Sequence, residues 1–205
     1  MRVAGVLLGG GASTRFRAPK LEARWHGRRL LDIACANFLD AGLSPVVFAG
    51  ATRPDDLHVV RVDGGARMID TLRNALAAIP DMPFAFAPAD MPALHAGLVR
   101  ELLEAFVAAG EDFLVPVFEG RRGHPAFART KEPFLRLGDT DGAREVWREA
   151  KDRILHYQMK TADILFDVDT PEDLLALDDE ATRLHRLVVR GDLYGTGNNS
   201  AKLVT

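Results

Sequence analysis

Short apolar runs alternate with stretches of helical period along most of this chain, and that alternation restricts the fold more than any other feature. Val3–Leu8 is an apolar run ending in glycines, the pattern of a buried strand. Leu31, Ala34, Cys35 and Phe38 then fall at helical spacing, and Gly42 supplies a stop. Pro45–Ala49 reads as a second strand and His58–Val62 as a third. Leu72, Ala75, Leu76 and Ile79 mark a helix ahead of Pro80, and Phe84–Ala87 is the next strand. Leu98, Leu102, Ala105 and Ala109 form a helix ending at Gly110, followed by a strand at Phe113–Val117. Strands separated by helices of this length pair in parallel through right-handed crossovers, which predicts a three-layer α/β/α sandwich. The second half is less regular. Ala126–Ala128, Ile154–Tyr157 and Ile164–Asp167 read as short strands, and Gly142–Ala150 and Pro171–Leu177 as helices. Past Leu187 a short strand and a mobile tail are expected, so residues 1–190 form one domain and 191–205 a tail.

A chain of 205 residues is long enough to bury such a core, and 47% hydrophobic with 27% charged residues is ordinary for a globular protein. The single cysteine, Cys35, excludes an internal disulfide and suits a reducing cytoplasm. Its place in the apolar stripe of the first helix makes it a core residue rather than a nucleophile. No apolar run approaches a membrane span. A net charge of −3 argues against nonspecific nucleic-acid binding. The distribution is uneven: residues 1–29 carry seven basic side chains against one acid, Glu22, while the remainder holds 19 basic and 28 acidic residues. That is the footprint of a local anion site or of a solvated basic face.

The segment Leu8-Gly9-Gly10-Gly11-Ala12-Ser13-Thr14-Arg15-Phe16-Arg17-Ala18-Pro19-Lys20 follows the first strand. Glycines at a strand's C-terminal end let the backbone approach a ligand and offer N–H groups to phosphate oxygens. In open α/β sheets ligands bind at that edge. Arg15 and Lys20 lie just beyond, placed to neutralise a triphosphate. Neither the Walker pattern nor the dinucleotide fingerprint is present. Asp90, in Ala87-Pro88-Ala89-Asp90-Met91-Pro92, ends a central strand at the same edge. It reads as a Mg²⁺ ligand or as a cap for the helix that follows. In Asp167-Val168-Asp169-Thr170-Pro171-Glu172-Asp173-Leu174 the alternation puts Asp167 and Asp169 on one face. Thr170, Glu172 and Asp173 suit a helix N-terminus, leaving Asp169 as the better candidate for a second metal ligand. Glycines and a proline in Gly120-Arg121-Arg122-Gly123-His124-Pro125 suggest a turn projecting Arg122 and His124.

These residues together resemble the nucleotidyltransferase family that makes molybdenum cofactor dinucleotides. Gly11, Ser13, Arg15, Phe16 and Lys20 match its signature Gly-x-Ser-x-Arg-[Met/Phe]-Gly-x-x-Lys, with Arg17 where that family has glycine. Gly27-Arg28-Arg29-Leu30-Leu31 is similar to its Gly-x-Pro-Leu-Leu lead-in to the first helix, with Arg29 where proline is usual. Gly65–Arg73 is similar to the loop before its third helix, where Leu72 and Arg73 fit. Asp90 corresponds to its metal-holding aspartate, and Asp167–Leu174 to Asp-x-Asp-Thr-Pro-Glu-Asp-Leu throughout. Gly120–Pro125 and Gly138–Arg144 resemble segments of its cytidylyl-transferring branch; the second of these is acceptor-side or helix-capping.

The resemblance, which runs from Val3 to Leu174, implies a mostly parallel, Rossmann-like sheet of the nucleotide-diphospho-sugar transferase type. It implies a Mg²⁺-dependent cytoplasmic enzyme that transfers the nucleotide of CTP or GTP to a phosphorylated acceptor, molybdopterin, and releases pyrophosphate. Leu8, Gly9, Gly10, Gly11, Ser13, Arg15, Lys20, Arg73 and Asp90 would bind nucleotide, with Arg15, Lys20 and Asp90 catalytic. Arg122 and His124 would meet the acceptor, and Asp90 and Asp169 the metal. Transient contact with a molybdoenzyme or chaperone is a further implication. Gly10 stands where guanine-using members carry glycine, whereas the Gly123-His124-Pro125 loop belongs to cytosine-using ones, and the longer loop match tips the balance slightly to CTP. The alternatives are a sugar-1-phosphate nucleotidylyltransferase on the same fold, which usually runs longer, and a nucleotide-binding regulator that has lost catalysis, for which Arg17 is the support.

Overall fold

A computed structural model describes residues 1–9, 19–138, 142–191 and 193. Strand β1 (Ala4–Gly9) is followed by a two-stranded hairpin, β2 (Arg24–Trp25) and β3 (Arg28–Arg29), and by helix α1 (Leu30–Asp40). Then come β4 (Val46–Gly50), β5 (Val59–Val62), α2 (Met68–Ala78), β6 (Phe84–Pro88), α3 (Ala96–Ala108) and β7 (Phe113–Phe118). The second half holds β8 (Arg121–Arg122), β9 (Ala126–Ala128), α4 (Glu132–Leu135), α5 (Ala143–Glu149), β10 (Ile154–Gln158), α6 (Pro171–Ala176) and α7 (Glu180–Val189).

The main sheet runs β10-β7-β9-β6-β1-β4-β5, with β8 paired to β7. β1 lies between β4 and β6, parallel to both, with Leu8 opposite Ala49 on one side and Pro88 on the other. β9 is antiparallel to both its neighbours, β6 and β7. The chain returns from β7 to β9 by a short turn, and a parallel partner would need a crossover of a dozen residues or more. The sheet is therefore mostly rather than wholly parallel.

Period-2 alternation sorts β1 between the two outer layers. Leu7 joins the cluster built on Leu31, Cys35 and Phe38 of α1 and Leu98, Leu102 and Phe106 of α3. Ala4, Val6 and Leu8 face Ile69, Leu72, Ala75 and Leu76 of α2, together with Phe134 and Trp147. Gly5 leaves the space that Phe38 fills, since a Cβ there would sit 2.8 Å from the ring. Cys35 is buried, which pushes its thiol up to about 12 and takes it out of nucleophilic chemistry.

Besides the short elements β2, β3, β8 and α4, which the sequence pattern did not mark, two larger features depart from it. Ile164–Asp167, expected as a strand, instead begins within a 3-10 turn at Ala162–Leu165 and continues as irregular chain. Thr161 caps the turn by accepting from the Asp163 amide at 3.2 Å. Asp163 then takes a bidentate grip from Arg183 at 2.7 and 3.1 Å, which draws the chain out of extension. Helix α7 is an addition. Its signals were Asp179, whose carboxylate accepts from the Thr182 amide at 2.7 Å, and the spacing of Ala181, Leu184, Leu187 and Val188. The expected tail lies largely outside the described residues. A third cluster, Leu30, Phe166, Val168, Ala176, Leu177 and Leu187, packs α6 and α7 back onto the start of α1.

Substituting Gly5→Ala should lower stability by about 1–3 kcal/mol through overpacking against Phe38, read as a reduced urea midpoint with unchanged slope. A midpoint equal to wild type would show that the α1–sheet interface has slack there.

Candidate functional site

The C-terminal ends of β1 and β6 are tied together where the Ala89 amide donates to the Leu8 carbonyl at 2.9 Å. The next residue, Asp90, therefore stands beside the point where the glycine segment begins. One turn of 3-10 helix at Lys20–Glu22 brings the chain back after that segment. The Lys20 ammonium lies 2.6 Å from Asp90 Oδ2 and 2.9 Å from Asp169 Oδ1. A backbone bond makes the third approach possible: the Val168 amide donates to the Asp90 carbonyl at 2.9 Å. With Val168 fully buried, Asp167 and Asp169 turn the opposite way, as their alternation predicts.

The electrostatics follow from that crowding. Burial alone would lower the Lys20 pKa, but Asp90 and Asp169 outweigh it and hold the ammonium above its ordinary value. Burial raises the Asp90 carboxyl above the usual range, Lys20 opposes this, and Asp167 adds to it. Asp90 Oδ1 is buried with no hydrogen-bond partner among the described residues.

Behind these groups stands a further layer of charge, of which the sequence pattern marked the helix cap at Thr170 and Asp173 but not the arginines. Arg190, at the end of α7, donates to Asp167 Oδ1 at 2.7 Å, to the Asp167 carbonyl at 3.1 Å and to Asp169 Oδ2 at 3.3 Å. Asp173 is wholly buried. Its Oδ2 accepts the amides of Asp169 and Thr170 at 2.9 and 2.8 Å, and its Oδ1 takes Arg186 at 2.8 and 3.0 Å. Thr170 and Asp173 thus form a reciprocal capping box for α6, which also fixes the backbone at Asp169. Burial would raise the Asp173 carboxyl, yet Arg186 and the two amides hold it below the usual carboxylate range.

Arg29, where the resemblance would place proline, braces Lys20 from the other side. It is buried, and it donates to Glu22 at 3.1 and 3.3 Å and to Asp32 at 2.6 and 3.0 Å, joining the 3-10 turn to α1. Asp32, Glu22 and their hydrogen bonds hold its guanidinium well above the ordinary arginine range.

The remaining candidates fall elsewhere. Leu8 packs in the α2-facing core and Gly9 ends β1, where a Cβ would lie 2.5 Å from the Phe48 ring. Gly10, Gly11, Ser13 and Arg15, with the departure at Arg17, lie outside the described residues. Arg73 bonds the Leu137 carbonyl and approaches Asp70 at 3.6 Å, contacts on the α2–α4 side of the sheet. Arg122 is exposed on β8, opposite Val117 at the C-terminal end of β7.

His124 differs from the expected projecting tip. The turn's tip is Glu119–Gly120, both at positive φ (47° and 77°), and His124 follows β8 on the way to a cis bond with Pro125. Its amide donates to the Ile164 carbonyl at 2.9 Å, and Gly123 fits beneath because a Cβ would lie 2.4 Å from that same oxygen. The ring packs edge-on to Phe86 with centroids 6.2 Å apart, and its Nδ1 is buried without a partner among the described residues. Burial lowers its pKa to about 4 against the pull of the Phe86 backbone and of Asp167, so the imidazole is neutral at physiological pH. It lies within the electrostatic reach of Asp167 and so borders the acidic cluster.

A family model described as the MobA-like NTP transferase domain matches residues 5–154. A molybdenum cofactor guanylyltransferase of Xanthomonas euvesicatoria pv. vesicatoria (strain 85-10) is 33% identical over 117 residues, 55% of this chain and 61% of that protein. The match thus spans less than two thirds of the relative's length. Rv0371c from Mycobacterium tuberculosis H37Rv superimposes with a TM-score of 0.73 at 21% identity over 87% of this chain and 100% of that one. The 2-C-methyl-D-erythritol 4-phosphate cytidylyltransferase of Thermus thermophilus does so with 0.66 at 22% identity over 90% and 100%. At such identities the likeness carries the fold, which is of the nucleotide-diphospho-sugar transferase type.

The brace at Asp173 has a measurable consequence. A carboxyl whose folded pKa is depressed stabilises the fold above its unfolded value, about 3.9, and that contribution disappears as pH falls through the folded pKa. Asp173→Asn should therefore cost about 3–5 kcal/mol at pH 7. Its urea midpoint should also fall less steeply than wild type as pH drops below about 5. Parallel pH profiles for the two proteins would show that Asp173 does not carry this linkage.

Proposed function

The chain belongs to the MobA-like NTP transferase domain family, and on that basis we propose that it is a nucleotidyltransferase acting on a nucleoside triphosphate and a phosphorylated acceptor. The observation that carries this reading is the convergence of Lys20, Asp90 and Asp169 within 2.9 Å at the sheet edge where the glycine segment begins. The acceptor is molybdopterin, by likeness to the guanylyltransferase of the Xanthomonas relative.

In the reaction, an oxygen of the acceptor's phosphate attacks the α-phosphorus of the triphosphate. The new P–O bond forms as the bond to the β-phosphate oxygen breaks, and pyrophosphate leaves with that electron pair. A phosphate monoester has its second pKa near ~6, so the nucleophile is already largely anionic and needs no general base. A neutral His124 agrees with that requirement: it can position an acceptor by hydrogen bonding while the exposed Arg122 supplies charge. Lys20, with Arg15 and the amides of Gly9, Gly10, Gly11 and Ser13, holds the triphosphate in line and offsets its charge.

The donor set fits a magnesium ion. Asp90 and Asp169 offer hard carboxylate oxygens, and Asp90 Oδ1 is a buried acceptor without a partner among the described residues. Among the described residues no group of three or more His, Cys, Asp or Glu is placed to hold a metal ion, so the protein would supply two carboxylates at most. Mg²⁺ is commonly bound in this way, by one or two carboxylates completed by phosphate oxygens and water. When bound, the ion would neutralise charge on the phosphate oxygens and on the departing pyrophosphate.

For the base, the relative's guanylyl specificity and Gly10 favour GTP. The Gly123-His124-Pro125 loop favours CTP and is the second reading. Pyrophosphate release from GTP and from CTP, with molybdopterin and Mg²⁺, decides between them. Lys20→Ala and Asp90→Asn should each reduce release by at least about 10²–10³-fold while circular dichroism remains native. Turnover near wild type in either variant would refute the assignment.

A further inference from the structure

One ammonium bridges the same two carboxylates that the proposed function assigns to a divalent cation. Lys20 Nζ uses Asp90 Oδ2 and Asp169 Oδ1 at 2.6 and 2.9 Å, both short charge-assisted contacts. Lys20 is only 15% exposed, so water screens the pair little. A cation ligated by these carboxylates would sit against the ammonium, like charge on like charge. The main chain beneath both carboxylates is held in place, which limits how far they can move to relieve that conflict. The Asp169 amide donates to Asp173 and its Oδ2 accepts from Arg190, while the Asp90 carbonyl accepts from the Val168 amide. Lys20 is the group that can give way, being a point charge on a flexible four-carbon stem. It also lies next to the segment whose glycines would receive a triphosphate.

We propose that Lys20 is an internal counter-ion that keeps divalent cations off Asp90 and Asp169 until a triphosphate draws the ammonium away. Metal and nucleotide then enter as a coupled pair. The lysine changes partners from carboxylate to phosphate, and the two carboxylates become available together. The two binding equilibria must help one another by the same factor, because such coupling is reciprocal. No covalent step is involved. The inference rests on the proposed metal role of Asp90 and Asp169, but it concerns the state before any nucleotide is present.

The test is a titration of the full chain with Mn²⁺ alone, followed by electron paramagnetic resonance of the remaining unbound ion. The wild type should bind weakly. Lys20→Met, which keeps the stem and removes the charge, should bind at least about tenfold more tightly. Lys160→Met, an exposed lysine outside the site, should match wild type and controls for net charge. Adding Asp90→Asn to Lys20→Met should abolish the gain. If Lys20→Met does not fold, Lys20→Gln takes its place, and a larger Mn²⁺-induced rise in Tm than wild type gives the same readout. Binding no tighter than wild type, or a gain that survives Asp90→Asn, would overturn the proposal. The titration contains no nucleotide, so it can fail while pyrophosphate release succeeds, and the reverse.

Discussion

The ammonium of Lys20 between the carboxylates of Asp90 and Asp169 is the contact that holds the site together. Three acidic side chains, Asp90, Asp167 and Asp169, gather at the end of an apolar sheet, where carboxylates repel one another and water screens them poorly. Neutralisation comes from two directions. Lys20 covers the sheet side, and Arg190, at the end of α7, covers the far side through Asp167 and Asp169. Arg186 and Asp173 extend the alternation of charge by one further step into the protein. Lys20 and Arg190 each serve more than one acid and share Asp169, so the set behaves as a unit.

That arrangement explains why the C-terminal helices fold back as they do. The apolar gain from Leu177 and Leu187 against Leu30 and Phe166 brings α6 and α7 over the sheet edge. The guanidinium groups of α7 arrive with them. The family match stops at residue 154, before Asp167, Asp169 and Arg190. The sheet therefore supplies Asp90, and a segment beyond the matched span completes the acidic cluster.

Arg29 shows how a departure from a familiar pattern is absorbed. A proline at that place would preset the backbone ahead of α1. Arginine instead ties Glu22 to Asp32, so the entrance to the helix and the turn that carries Lys20 are joined by hydrogen bonds rather than by a ring.

Local order was legible because it is written in local periods. Apolar residues at i, i+3, i+4 and i+7 and the short apolar runs placed α1, α2, α3 and β1, β4, β6, β7, β9 and β10 within a few residues of where they lie. The Asp-Val-Asp alternation likewise foretold which way Asp167 and Asp169 face. Ile164–Asp167 misled because its apolar run resembles a strand, while the hydrogen bonds that curl it come from Thr161 and from Arg183, 20 residues away from Asp163. His124 looked like a polar tip because glycines and proline surround it, but burial against Phe86 depends on a strand some forty positions earlier. The pattern of residues along the chain was enough for the layers, the strand edge and the side-chain types available there. Packing in three dimensions was needed to bring Lys20 to an aspartate 149 residues further along, and to set Arg190 and Asp173 as its braces. Periodicity is a property of neighbours along the chain, whereas a shared counter-ion exists only once distant segments have been packed into the same few ångströms.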